Sequence, residues 1–183
     1  MINMVETFLK DKNYGMTARI ASTPLLPYFY LIGKWVPNII VVIVQIVILF
    51  MFGKLVYGVT LEQPFALIVI SLVLAITVTG VGLALALLVN TNNMGIAMTQ
   101  IIALGGAVLS GLWVPIDMMP SFIQDIANFL PQFWAHQAFQ DAMLGAMENV
   151  QLLKESLILV SYGLVGFLIA MFRYPHFLKK ARG

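Results

Sequence analysis

Between Glu62 and Asp117 the chain runs for 54 residues without a charged side chain. As one helix this interval would be roughly 80 Å long, against a hydrocarbon core of about 30 Å. It must therefore turn, and Asn90-Thr91-Asn92-Asn93, followed by Gly95, marks the place as a polar cluster between two apolar runs. The first run is Phe65 to Val89 and the second roughly Gly95 to Val114, closed by Pro115. Together they read as a helical hairpin crossing a membrane twice.

Two further spans flank the hairpin. Trp35 to Gly53 is free of charge, and its run Ile39 to Val44 is β-branched. Such a run favours a strand in water, but in lipid each backbone group must be paired within its own segment, so helix wins. Pro37 is accommodated if it falls in a first helical turn. The last span, roughly Ser156 to Phe172, has Lys154 and Arg173 placed to snorkel to opposite interfaces. The expected spans are about 36–57, 65–89, 95–114 and 156–173. The fold class is all-α, a polytopic membrane helix bundle forming one domain over residues 1–183.

Charge patterning gives the orientation independently. Eight of the ten Lys and Arg residues lie before the first span or after the last, and six of the eight acids lie in the two segments on the other side. Positive residues mark the cytoplasm, so both termini are expected inside, as in a multi-pass protein of the cell membrane. Trp35, Tyr57, Trp113 and Tyr174 fall near the expected interfaces, where amphipathic rings prefer to sit. The N-terminus lacks the order of a signal peptide, because Met1–Leu9 is apolar with Glu6 inside it and the charges follow.

Composition agrees with lipid as the solvent. The chain is 61% hydrophobic and 10% charged, against about 25% charged for a soluble domain. Its net charge of +2 gives no reason to expect nucleic acid. With no cysteine, disulfides, thiolate metal sites and cysteine nucleophiles are excluded.

The segment from Pro115 to Glu155 is too long for a turn and too apolar for a free loop. Phe122, Ile126, Phe129, Leu130 and Phe133 follow helical spacing, with Pro120 and Pro131 bracketing one short helix. A second amphipathic stretch runs from about Trp134 to Gly145. Segments of this length are interfacial or re-entrant more often than spanning. Two arrangements stay open: a pair lying on the outer leaflet, or a pair that dips inward over a path.

No G-x-x-x-x-G-K-[ST] phosphate loop is present, so ATP binding by this chain is not expected and no cofactor of its own is implied. His136 and His176 stand alone, and Asp117, Asp125 and Asp141 read as a solvated face. No catalytic or metal-ligand set is expected. No charged residue lies within the runs Trp35–Gly53, Phe65–Val89, Gly95–Val114 and Ser156–Phe172 that form the spans, which argues against ion-coupled transport. What remains is neutral. Gln45, Thr77, Thr79, Thr99, Gln100, Ser110 and Ser161 either bond helix to helix or line a weakly polar path. Gln45 and Gln100 are the most costly to face lipid, so each is expected to face another helix. Small pairs four apart, Gly80 with Ala84, Gly82 with Ala86 and Gly106 with Ser110, read as packing sites. A bundle of this kind suits either a permease or a non-transporting membrane scaffold; an intramembrane enzyme would need a buried reactive cluster that the sequence does not offer.

Lys10-Asp11-Lys12-Asn13-Tyr14-Gly15-Met16-Thr17-Ala18-Arg19-Ile20, then Thr23-Pro24, then Gly33-Lys34, resembles the segment before the third span of type-2 ATP-binding-cassette exporter permeases. Leu109-Ser110-Gly111-Leu112-Trp113-Val114-Pro115, then Met119-Pro120, Leu130-Pro131 and Trp134, is similar to the outer segment of the same family. The resemblance runs from about Lys10 to Arg173. It implies a cytoplasmic coupling helix at 13–22, with Gly15, Thr17, Arg19 and Pro24 contacting a separate ATPase subunit; a basic interfacial helix held by lipid is the alternative there. It implies an outer gate, with paired re-entrant helices at about Pro120 to Gly145 inside the outer segment 115–150, and with Gly111, Pro115, Pro120, Pro131 and Trp134 as its residues. It implies a second permease half, as homo- or heterodimer, and export of a hydrophobic or amphipathic substrate. Such halves usually carry six spans. On this reading the first two are missing and Met1–Phe8 is a remnant of the second, as in a truncated, fragmentary or split permease.

Overall fold

The computed structural model describes residues 1–14, 16 and 27–182. The coupling segment expected at 13–22, with Gly15, Thr17, Arg19 and Pro24, lies outside the described residues except at its first positions. Among the described residues there are helices and turns and no strand. A short amphipathic helix, α1 (Ile2–Asn13), precedes the long α2 (Pro27–Tyr57) and α3 (Pro64–Leu88). The next span is composite: α4 (Asn92–Gln100), a π turn (Ile101–Gly105) and α5 (Gly106–Leu109) follow without a break. Two short helices, α6 (Ser121–Ala127) and α7 (Pro131–Leu144), lead to α8 (Asn149–Arg182). Four stretches are long and apolar enough to cross a bilayer: Tyr28–Tyr57, Pro64–Leu88, Asn92–Leu109 and Asn149–Phe177. The chain is thus a helical membrane bundle.

Local chemistry explains most boundaries. The hairpin turn is where it was expected, and Thr91 caps α4 by accepting a hydrogen bond from the Met94 amide (3.3 Å). Pro131 opens α7, and Gly145 ends it in the left-handed conformation (φ 75°), which a residue without Cβ adopts freely.

Three boundaries differ from expectation. Pro37 lies well inside α2 rather than in its first turn, because the helix already begins at Pro27. A proline leaves one carbonyl of the preceding turn unpaired, and lipid-embedded helices tolerate this when side chains re-satisfy the local backbone. The side-chain amide of the adjacent Asn38 donates to the Lys34 carbonyl (2.8 Å), next to the carbonyl of Gly33, which lies four residues before Pro37. Helix α5 ends at Leu109, before Pro115, because the Ser110 hydroxyl bonds back to the Gly106 carbonyl and Gly111 turns the chain at φ 87°. Finally, α8 extends well beyond 156–173 at both ends and carries Pro175 inside it. Lys154 and Glu155 limit how deep that end sits in lipid without ending the helix.

Helix α3 is central and touches α1, α2, α4, α7 and α8. Apolar burial gives little drive for helices to associate in lipid, so close packing must supply it. Along α8 the buried positions Glu155, Leu159, Gly163, Gly166, Ala170, Tyr174 and Phe177 recur every three or four residues, one stripe whose middle, Leu159, Gly163 and Gly166, meets α3. The backbones nearly touch there. A Cβ on Gly80 would lie 2.3 Å from the Gly163 carbonyl oxygen, and one on Gly166 would lie 2.5 Å from that of Gly80. Gly80 therefore pairs across helices with two glycines of α8, while Gly82 lies against Met1 and Met4 of α1.

Each end of the bundle has its own cluster. At one end Met4, Val5 and Phe8 pack with Tyr30, Leu31, Leu83, Tyr174 and Phe177. Asp11 joins α1 to α2 there, accepting from the Tyr30 hydroxyl (2.8 Å) and pairing with Lys34 (2.7 Å). At the other end Leu67 and Ile70 pack with Ala138, Ala142 and Leu152. The near end of α2, the far end of α3 and the far end of α8 thus meet at one face, the arrangement four crossings require.

Candidate functional site

A cleft of about 460 Å³ opens between α1, α2, α4 and the start of α7. Asn38 and Gln45, seven residues and so about two turns apart, stand on its α2 wall. Thr79 of α3 and Thr99 of α4 face it, and Gln132 of α7 closes one side. Among the described residues no charged side chain lines it, and Met1, which bears the α-ammonium group, is part of the lining.

The neutral residues singled out from the sequence divide between two roles. Thr77 is a packing residue: its hydroxyl contacts the Leu159 carbonyl of α8 (2.7 Å) and its own helix at Val73 (2.9 Å). Thr79 does both. Its oxygen accepts from the Trp35 indole (2.7 Å), its hydroxyl donates to the Ala75 carbonyl (2.6 Å), and it still borders the cleft. Gln45 borders the cleft and is exposed, whereas Gln100 is exposed and outside the lining. Ser110 is buried at the far end of α5.

Gln132 carried no signal in the sequence as a site residue. Its amide nitrogen donates to the Ile102 carbonyl (3.1 Å) within the π turn. A π turn widens the helical ladder and is frequent at functional sites. Gly106 makes the approach sterically feasible, because a Cβ there would lie 2.4 Å from the Gln132 nitrogen. Helix α7 is thereby fastened to the span beneath it.

A second cavity, about 380 Å³, lies at the α5 end of that span. Gly111 and Pro115 line it together with Ser110, Asp117, His136 and Asp141. Pro120 and Pro131 begin the two short helices, and Trp134 donates to the Asn128 carbonyl (2.8 Å) with the Lys154 ammonium 5.3 Å from its ring. Asp141 also reaches α8, since the Gln151 amide donates both to it (2.6 Å) and to Glu155 (3.1 Å). Among the described residues no group of three His, Asp or Glu is placed to hold a metal ion.

The aromatic residues expected at the interfaces divide as well. Tyr57 and Trp113 are exposed, but Tyr174 is buried in the cluster with α1, and Trp35 stacks on Phe167 at 4.7 Å.

The model of the ABC-2 family transporter protein matches residues 1–172. The linearmycin resistance permease protein LnrN of Bacillus subtilis (strain 168) is 26% identical over 167 residues, covering 91% of this chain and 43% of the relative. A transport permease of the same organism, YvfS, is 24% identical over 170 residues, covering 90% of this chain and 66% of that protein. The chain thus spans about half the length of the curated relatives it matches. No solved structure matches it.

Proposed function

The chain belongs to the ABC-2 transporter family, and from that membership we propose that it is the membrane-spanning permease subunit of an ATP-binding-cassette exporter. The family match over residues 1–172 carries the reading. The substrate is hydrophobic or amphipathic and leaves the cytoplasm at the expense of ATP hydrolysed by a separate subunit. One relative is named for linearmycin resistance, a role that suits outward movement. Both termini lie in the cytoplasm of a cell-membrane protein. The Lys and Arg distribution supports this, as does the meeting of α1 and the far end of α8 in one cluster. A second permease half completes the path. Helix α2 supports that part, because none of its most apolar window is buried within the chain.

In this reading Gly15, Thr17, Arg19 and Pro24 dock the ATPase, and the stems of that segment are held together by Asp11, Tyr30 and Lys34. Gly111, Pro115, Pro120, Pro131 and Trp134 form the outer gate. The test is capture of an ATPase subunit from the native membrane by the tagged chain. Arg19→Glu is expected to abolish capture. Capture unchanged by that substitution would remove the coupling assignment and leave a membrane scaffold as the better account.

A further inference from the structure

A groove of about 310 Å³ runs between α2 and α3, and its lining is apolar except for Ser71 and Lys54. Its two walls are regular. Ile43, Val47 and Met51 stand four residues apart along α2, and Pro64, Ile68 and Leu72 four apart along α3, each a single row on one helix face. Joined by the short turn 58–63, the two helices run in opposite directions, so Leu72 lies toward Ile43 and Pro64 toward Lys54. Ile43 and Lys54 are eleven residues apart, about 16 Å of helix, which is half of a hydrocarbon core of about 30 Å. The groove therefore has the depth of one leaflet.

Its polarity is confined to one end. The Ser71 hydroxyl donates to the Leu67 carbonyl of its own helix (2.6 Å), so it offers no free donor deep in the groove. Lys54 is exposed and lies in the last turn of α2. Among the described residues its ammonium has no carboxylate within ion-pair distance. Glu62, the nearest acid along the chain, lies instead against the end of α7, where a Cβ on Gly145 would come 3.3 Å from its own.

We infer that this groove binds an anionic phospholipid of the leaflet at the Lys54 end. One acyl chain lies between the two rows, and the phosphate pairs with the Lys54 ammonium, which a long flexible stem lifts to headgroup level. Val47, Met51, Ile68 and Leu72 are all exposed, so the acyl chain meets them directly. A spanning helix of another protein fits this groove poorly, because it needs an apolar seat through both leaflets and this one stops halfway with a cation at its mouth. A zwitterionic lipid fills the groove equally well but brings a cation of its own beside Lys54, so net negative charge is what the site selects. The remaining faces of α2 stay available to a second permease half. A scaffold would hold the lipid as well as a permease would, and the inference stands apart from the transport reading.

The test uses the full chain in nanodiscs of equal phosphatidylglycerol and phosphatidylcholine, one of the two carrying a photoreactive diazirine midway along an acyl chain. Crosslinked peptides are located by mass spectrometry. Labelling at Val47 and Leu72 is expected to favour phosphatidylglycerol about fivefold, the worth of one lysine at a lipid surface. Leu164, exposed on α8, is expected to show no preference. Lys54→Gln should abolish the preference in the groove and leave labelling at Leu164 unchanged, while Lys54→Arg should keep it. Equal labelling of the groove by the two lipids would overturn the inference and leave only unselected boundary lipid there. A preference that survives Lys54→Gln overturns it too, as does a groove that neither lipid labels, which would mean that protein fills it.

Discussion

The seam between α3 and α8 and the outward face of α2 are built from much the same apolar residues, yet they are opposites in structure. At the seam, Gly80, Gly163 and Gly166 bring two backbones within contact. On α2, a Cβ on Gly33 would meet nothing within 4 Å among the described residues, and one on Gly53 would meet only the Val59 side chain there, at 3.8 Å. Hydrophobicity therefore does not tell the two apart; steric room does. In lipid, where an apolar side chain gains little by leaving one apolar neighbour for another, close backbone approach marks the contacts that hold the chain together. The bare helix marks where something else, lipid or protein, must complete it.

This contrast can be broken experimentally. Gly80→Leu drives a side chain into the Gly163 backbone, and overpacking of this kind is expected to destabilise by about 3 kcal/mol or more. The measurement is loss of the monodisperse peak in detergent after mild heating. Tolerance of leucine there would mean that the seam is not the core. The polar tie that Asp11 makes from α1 to α2 comes next. Asp11→Asn removes the partner of Lys34, whose side chain retains 27% of its exposure. The expected loss is about 2 kcal/mol, less than the 3–5 kcal/mol of a fully buried pair. Exchanging the two residues, Asp11→Lys with Lys34→Asp, should recover much of it in the same melting assay; no recovery would assign the effect to the Tyr30 hydrogen bond. The smallest effect sharpens the bare side of the comparison. Gly53→Ala should stabilise by about 0.5 kcal/mol, since alanine restricts the unfolded chain and meets no obstacle. A clear loss in its melting temperature would show that another helix presses on α2 at that turn.

How much of this was legible in the sequence follows the same division. The four crossings were readable because an uncharged interval has a length, and the bilayer has one too. The Asn90–Asn93 turn and the breaks at Pro120, Pro131 and Gly145 were readable because capping and backbone preference are local. The partners of the small residues were not. Spacing drew attention to Gly80 with Ala84, whereas Gly80 meets Gly163 and Gly166, more than 80 residues away. Tyr174 looked interfacial for the same reason. Nothing local shows that α1 lies over it. Gln132 was missed altogether, because its place depends on a π turn and a glycine in another helix. Thr99 stood out as a neutral polar residue in a span, but that its buried Oγ1 has no partner among the described residues is a property of the assembled helices. Gly15, Thr17, Arg19 and Pro24 of the expected coupling segment lie outside the described residues.

The π turn at Ile101–Gly105 has one more consequence. A wide turn takes up about one residue more than a regular ladder, and one residue of α-helix is about 100° of rotation. Everything outward of Gly105 is thus dialled around the axis by roughly a quarter turn from where an unbroken helical wheel would put it. Aligning this span with a relative by counting in threes and fours would aim Gly106 away from α7; only a one-residue phase correction at this point restores its heading.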